Sequence, residues 1–98
     1  MRPSELLRRH RDEILEIMKR YPGLSNLRVV GSVARGEDTE ESDIDFLIDM
    51  GSGSTLLDLG GFKEDLEELL GIHVDIITSG ARMHKYLRMT IERDAIQI

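Results

Sequence analysis

Apolar residues between Ser4 and Arg20 recur at helical spacing: Leu7, Ile14, Leu15 and Met18 share one face. That period predicts an amphipathic helix over residues 4–20, with Ser4 as its N-cap after Pro3. Tyr21-Pro22-Gly23 then stops it. The pattern changes at Leu27 to Val30, a short apolar run closed by Gly31-Ser32, which predicts a strand. Residues 33–36 have room for one helical turn. Asp45 to Asp49 encloses Phe46, Leu47 and Ile48 and predicts a second, buried strand. Residues 51–54, Gly-Ser-Gly-Ser, predict a flexible loop. Helical spacing returns over residues 55–70. Leu59, Phe62, Leu66, Leu69 and Leu70 share a side, and Lys63, Glu64, Glu67 and Glu68 lie largely opposite. Gly71 reads as the C-cap. Residues 73–78 (HVDIIT) predict a third strand and residues 82–95 a last helix, with Tyr86, Leu87 and Ile91 in the core. Residues 96–98 either extend that helix or add a short edge strand. The alternation predicts an α/β or α+β fold, in which helices flank a small mixed sheet of three to four strands.

The length of 98 residues suits one small domain over 1–98. There is no cysteine, so disulfides and thiolate metal sites are excluded, in keeping with a reducing, cytoplasmic setting. No apolar run matches a transmembrane helix, and the N-terminus lacks the apolar stretch of a signal peptide. No membrane association is expected. The net charge of −6 argues against nucleic acid as partner. Charge is uneven, however. Residues 37–45 (EDTEESDID) are strongly acidic, whereas residues 8–11 and 82–93 are basic. Arg82, His84, Lys85, Arg88 and Arg93 could face an acidic partner, or form a solvated face.

The acidic run ends in Asp43 and Asp45. Alternate residues on a strand point the same way, so these carboxylates sit together. Like charges that close repel, and one would hold its proton unless a cation lay between them. Oxygen-only ligands suit Mg²⁺ or Mn²⁺. Asp75, flanked by Val74 and Ile76, is costly inside an apolar strand unless it is paired or liganded. If its strand neighbours the second one, Asp75 reaches the same ion. Otherwise it is an edge residue facing water. Three carboxylates can hold two metals, as phosphoryl transfer requires. An EF-hand loop starting at Asp38 fails, because its sixth position is Asp43 where glycine is needed and its twelfth is Asp49. His10, His73 and His84 show no metal-ligand spacing, so they are left out of the site.

Gly31-Ser32 lies where a strand ends and a helical turn begins. Glycine admits close backbone approach, and amides with a hydroxyl suit a phosphate. Arg35, one turn on, could add a bidentate charge. There is no Walker A loop and no GxGxxG. Gly-Ser alone says little, but roughly one chain in a thousand of this length carries Gly-Ser, ten residues, then Asp-x-Asp by chance.

Gly31-Ser32, ten residues, Asp43-x-Asp45 and then Asp75 resemble the signature of the DNA polymerase β-like nucleotidyltransferase superfamily. GSVARG, SDIDFLI and the late VDIIT strand resemble its minimal, MNT-type members nearly end to end. The resemblance implies the polymerase β-like fold and Mg²⁺-dependent transfer of AMP from ATP to a hydroxyl, with two ions. It further implies the antitoxin role of a HEPN/MNT toxin–antitoxin pair, the acceptor being a tyrosine of the HEPN toxin in a hetero-oligomer. Asp43, Asp45 and Asp75 would then be the catalytic and metal-binding residues. Gly31, Ser32, Arg35 and Ser42 would bind the nucleotide, Arg35 by phosphate contact or by local support. Larger enzymes with this motif carry a helical acceptor-binding domain for which this length has no room. The acceptor surface is therefore expected on another polypeptide. Two other readings stand beside this one: a non-catalytic antitoxin of the same fold that neutralises its partner by occlusion, and a small-molecule, aminoglycoside-type nucleotidyltransferase.

Overall fold

The computed structural model describes all of residues 1–98. In chain order the elements are α1 (Pro3–Arg9), α2 (Arg11–Met18), β1 (Leu24–Val30), α3 (Gly31–Arg35), β2 (Ile44–Met50), α4 (Leu56–Leu70), β3 (Val74–Thr78), α5 (Lys85–Asp94) and β4 (Ile96–Gln97). The four strands form one mixed sheet in the order β3-β2-β1-β4. β1 runs antiparallel to both β2 and β4, and β2 runs parallel to β3. The parallel pair is possible because α4 crosses between its strands, as the geometry of a parallel connection demands.

α4 forms where its pattern predicts. Thr55 caps it, accepting from the Asp58 amide while the Asp58 side chain accepts from the Thr55 amide. Gly71, at φ 70°, ends it in the left-handed region. Phe62, Leu66 and Leu70 are buried from α4, meeting Ile14 and Ile17 of α2 and Ile44, Phe46, Ile48 and Val74 of the sheet. Tyr21 packs edge-on to Phe62 at 5.7 Å and donates its hydroxyl to Asp65 Oδ2 at 2.7 Å. This core anchors the face from which β2 and β3 rise towards their functional ends.

The first helix departs from expectation twice. It breaks at His10, and Ser4 does not cap it. Pro3 opens α1 behind Arg2, its fixed φ already helical. Ser4 lies inside the first turn and donates its amide to Asp38 Oδ2 at 2.9 Å. Asp38 is buried; burial, the largest single effect, pushes its carboxyl up, but the hydrogen bonds from Ser4 and from its own backbone, with the charge of Arg2, together outweigh it and hold the carboxyl below the usual range. The break lets α1 lie against α3 while α2 lies against α4. One straight helix would serve a single direction.

β1 starts three residues earlier than the apolar run suggests. Asn26, at φ 54°, sits in a register irregularity between Ser25 and Arg28. This bulge returns Leu24 to the core ahead of two exposed polar residues. The last helix begins at Lys85 rather than 82, with His84 as its N-cap. It buries no residue: Tyr86 is 72% and Leu87 52% exposed, and Ile91 is only half-buried, against the expected core role. Polar ties hold α5 instead. Arg88 donates to the carbonyls of Ser79 and Ala81, and Arg35 pairs with Asp94. The basic residues of α5 are thus partly spent within the chain. Of residues 96–98, Ile96–Gln97 form β4, a short strand on the edge of β1. No helix is long and apolar enough to cross a membrane.

Candidate active site

Asp45 and Asp75 are register partners on the parallel strands β2 and β3. Adjacent strands lie about 4.8 Å apart, so neighbouring positions in register put their side chains on one face. Asp43 immediately precedes Ile44, the first residue of β2, and His73 immediately precedes β3. Ligand atoms of Asp43, His73 and Asp75 all lie within 4.8 Å of one another. The three aspartates singled out by spacing therefore come together. They do so at an open surface rather than in a dry interior: Asp43 and Asp75 are exposed and Asp45 is half-buried. β3 is an edge strand, which spares Asp75 the full cost of burial. Partial burial raises the Asp45 carboxyl above its usual range, and the Asp75 and Asp43 carboxylates beside it add to that.

Gly31 sits directly against this group. Val30 is the register partner of Asp45, so the chain turns into α3 beside that carboxylate. Gly31 has φ +72°, and a Cβ there would meet Asp45 Oδ2 at 2.7 Å. Only glycine combines that backbone with that approach. Ser32 follows Gly31 in the first turn of α3 and is half-buried. Arg35 reaches Glu37 at 3.5 Å and Asp94 at 3.3 Å. Ser42 Oγ accepts from the Thr39 amide at 2.9 Å, closing the loop that delivers Asp43. In this structure both Arg35 and Ser42 serve local support.

Three residues of the site went unforeseen. His73 is held through Nδ1 at 2.9 Å from Glu67 Oε2 and through Nε2 at 3.0 Å from Asp75 Oδ1. The bond to Asp75 raises its pKa above the ordinary histidine value against the opposing effect of burial, with the charges of Asp75 and Asp43 adding to the rise. Glu67 also accepts the Val74 amide at 3.1 Å; that bond above all keeps its carboxyl below the usual range. It ties α4 to the head of β3. Lys63 lines a cavity of about 590 Å³ together with Asp45, Asp75, Leu56, Leu59 and Gly60. A signal for His73 existed: it stands two residues before Asp75, hence on the same side of an extended chain. Lys63 follows Leu56 and Leu59 at helical spacing, which places it on the flank facing the site rather than opposite the core.

The donor set suits a hard divalent cation. Carboxylate oxygens converge from two strands, and their mutual repulsion is what such an ion relieves. Gly31 leaves the space beside Asp45 that any side chain would fill. Asp43, His73 and Asp75 offer ligand atoms within reach of one another, and Asp45 stands in register with Asp75 beside them.

A nucleotidyltransferase domain model matches residues 11–98. A Methanocaldococcus jannaschii protein named "Putative protein adenylyltransferase MJ0126" is 40% identical over 95 residues, covering 97% of this chain and 93% of that one. A solved structure described as "putative minimal nucleotidyltransferase" superposes with a TM-score of 0.83 at 42% identity, covering 97% and 95% of the two chains. A crystal structure of a toxin–antitoxin with AMP-PNP shares the fold, with a TM-score of 0.71 at 18% identity over 88% of this chain and 69% of that one. With the domain match spanning nearly its whole length, this chain belongs to the nucleotidyltransferase family, in its minimal form.

Proposed function

We propose that this chain, acting as a single minimal domain, transfers AMP from ATP to a tyrosine hydroxyl of a HEPN-type toxin and serves as that toxin's antitoxin in the cytoplasm. The observation that carries the reading is the register of Asp45 with Asp75, with Gly31 pressed against Asp45. Relatives named for protein adenylylation, and the toxin–antitoxin fold neighbour with AMP-PNP, support the substrate and the setting.

Asp43, Asp45 and Asp75 would hold the divalent cation, Mg²⁺, and three carboxylates could ligate two such ions. That metal, when bound, screens the phosphate charge and acidifies the attacking hydroxyl. Ser32 Oγ and the amides of Gly31 and Ser32 hold the triphosphate. Asp75 orients the acceptor hydroxyl and takes its proton. The acceptor oxygen bonds to the α-phosphorus, the bond from that phosphorus to the β-phosphate's bridging oxygen breaks, and pyrophosphate departs with the electron pair. Positioning and preorganised charge supply most of the barrier reduction.

Intact-mass measurement of a HEPN-type partner co-expressed with this chain tests the proposal. The expected result is mass added in whole AMP units, mapped by fragmentation to tyrosine. A stable complex with an unmodified partner would instead favour neutralisation by occlusion.

A further inference from the structure

We propose that Lys63 binds the phosphate chain of the incoming nucleotide, in the cavity that opens beside Asp45 and Asp75. The inference rests on the nucleotidyl-transfer reading above and adds a residue to it. The cavity, about 590 Å³, has the size of a small-molecule site. Its ionisable lining consists of Asp45, Asp75 and Lys63, and Leu56, Leu59, Ile76 and Ile77 form the apolar part. Lys63 is therefore the one cation facing a space whose other charges are negative.

Its neighbours do not consume it. Asp65 is taken by Tyr21 and Arg20. Glu67 is taken by the Val74 amide and His73. Lys63 forms no ion pair of its own, although its charge is felt by both Glu67 and His73. The cation that the sequence offers to phosphate, Arg35, is tied to Glu37 and Asp94. A polyanion entering a site built from three aspartates needs positive charge beyond the bound metal. An ammonium on a flexible stem is a point charge suited to phosphate oxygens and tolerant of their movement as pyrophosphate leaves. Because Lys63 projects from α4 and Asp75 from β3, the two sides of the cavity would close on the nucleotide from different elements.

Calorimetric titration with an ATP analogue carrying a carbon bridge between its α- and β-phosphates tests this at fixed Mg²⁺. Lys63→Ala is expected to weaken binding about ten-fold or more, the worth of one charge-assisted contact. Lys63→Arg should retain most of the affinity. The melting temperature should change little, since Lys63 makes no hydrogen bond or ion pair within the chain. Affinity for Mn²⁺ without nucleotide should hold, as should affinity for the partner protein. Wild-type binding of the analogue by Lys63→Ala overturns the role of Lys63 while leaving nucleotidyl transfer standing. A parallel fall in Mn²⁺ affinity, or loss of the partner in place of the analogue, overturns it equally. Failure of the wild type itself to bind the analogue removes both this inference and the reading beneath it.

Discussion

Asp43→Ala and Asp45→Asn are each expected to abolish the proposed AMP transfer to the partner, by a factor on the order of 10³ or more, while the domain stays folded. The size follows from what each carboxylate does. A metal that screens the transferring phosphate contributes several kcal/mol, and each 1.4 kcal/mol is a factor of ten in rate. In the proposed role, removing one ligand of three would forfeit most of that. The fold is expected to survive because these groups contribute charge to the site and little packing: Asp43 is exposed and Asp45 half-buried, whereas the core beneath them is Ile44, Phe46 and Val74. Asp45→Asn keeps the shape of the side chain and removes repulsion against Asp43 and Asp75. In a chelator its melting temperature should equal or exceed that of the wild type. Radiolabelled ATP with Mg²⁺ and purified partner gives the rate, and thermal melts give the stability. Full labelling by these variants would remove the aspartates from the chemistry.

The second large effect comes from one methyl group. Gly31→Ala should cut transfer about a hundred-fold at a much smaller cost in stability. At φ +72° an alanine costs about 1–2 kcal/mol in backbone strain. The new Cβ would also stand 2.7 Å from Asp45 Oδ2, closer than van der Waals contact allows. A carboxylate at the end of a short side chain can rotate away from a methyl more easily than the sheet can move. Asp45 therefore yields, and with it the geometry of the site. Misplacement by about 1 Å is enough for a hundred-fold loss. The diagnostic is the contrast between a modest drop in melting temperature and a large drop in rate, with Mg²⁺ affinity falling alongside the rate. Equal, small losses in both would mean that the Asp45 carboxylate tolerates displacement.

The parts of the fold legible in sequence are those decided locally. α4 carries five apolar residues on one side and a left-handed glycine at its end, and it forms accordingly. The DxD strand and the third strand are apolar runs with breakers on both sides, and they pair in the register that joins Asp45 to Asp75. The less legible parts depend on distant residues. Nothing near His10 says that the first helix must serve both α3 and α4. Nothing near Ser4 says that Asp38, far along the chain, will take its amide. The bulge at Asn26 hides Leu24 from any reading of strict alternation. α5 has apolar residues at helical spacing, yet ties at Arg88 and Arg35 hold it with Tyr86 and Leu87 exposed and Ile91 only half-buried. The site divides in the same way. Asp43 and Asp45 are linked by strand periodicity, and the Gly31-Ser32 turn by its spacing to them. His73, Glu67 and Lys63 enter only because α4 packs beside β3, which is a tertiary fact.

Diffraction from crystals grown with Mn²⁺ and a non-reacting ATP analogue, recorded at the manganese absorption edge, tests the central claim most directly. Anomalous peaks are expected within bonding distance of carboxylate oxygens from Asp43, Asp45 and Asp75, with the triphosphate lying along Gly31 and Ser32. Manganese bound elsewhere, or a nucleotide seated away from those two residues, would contradict it.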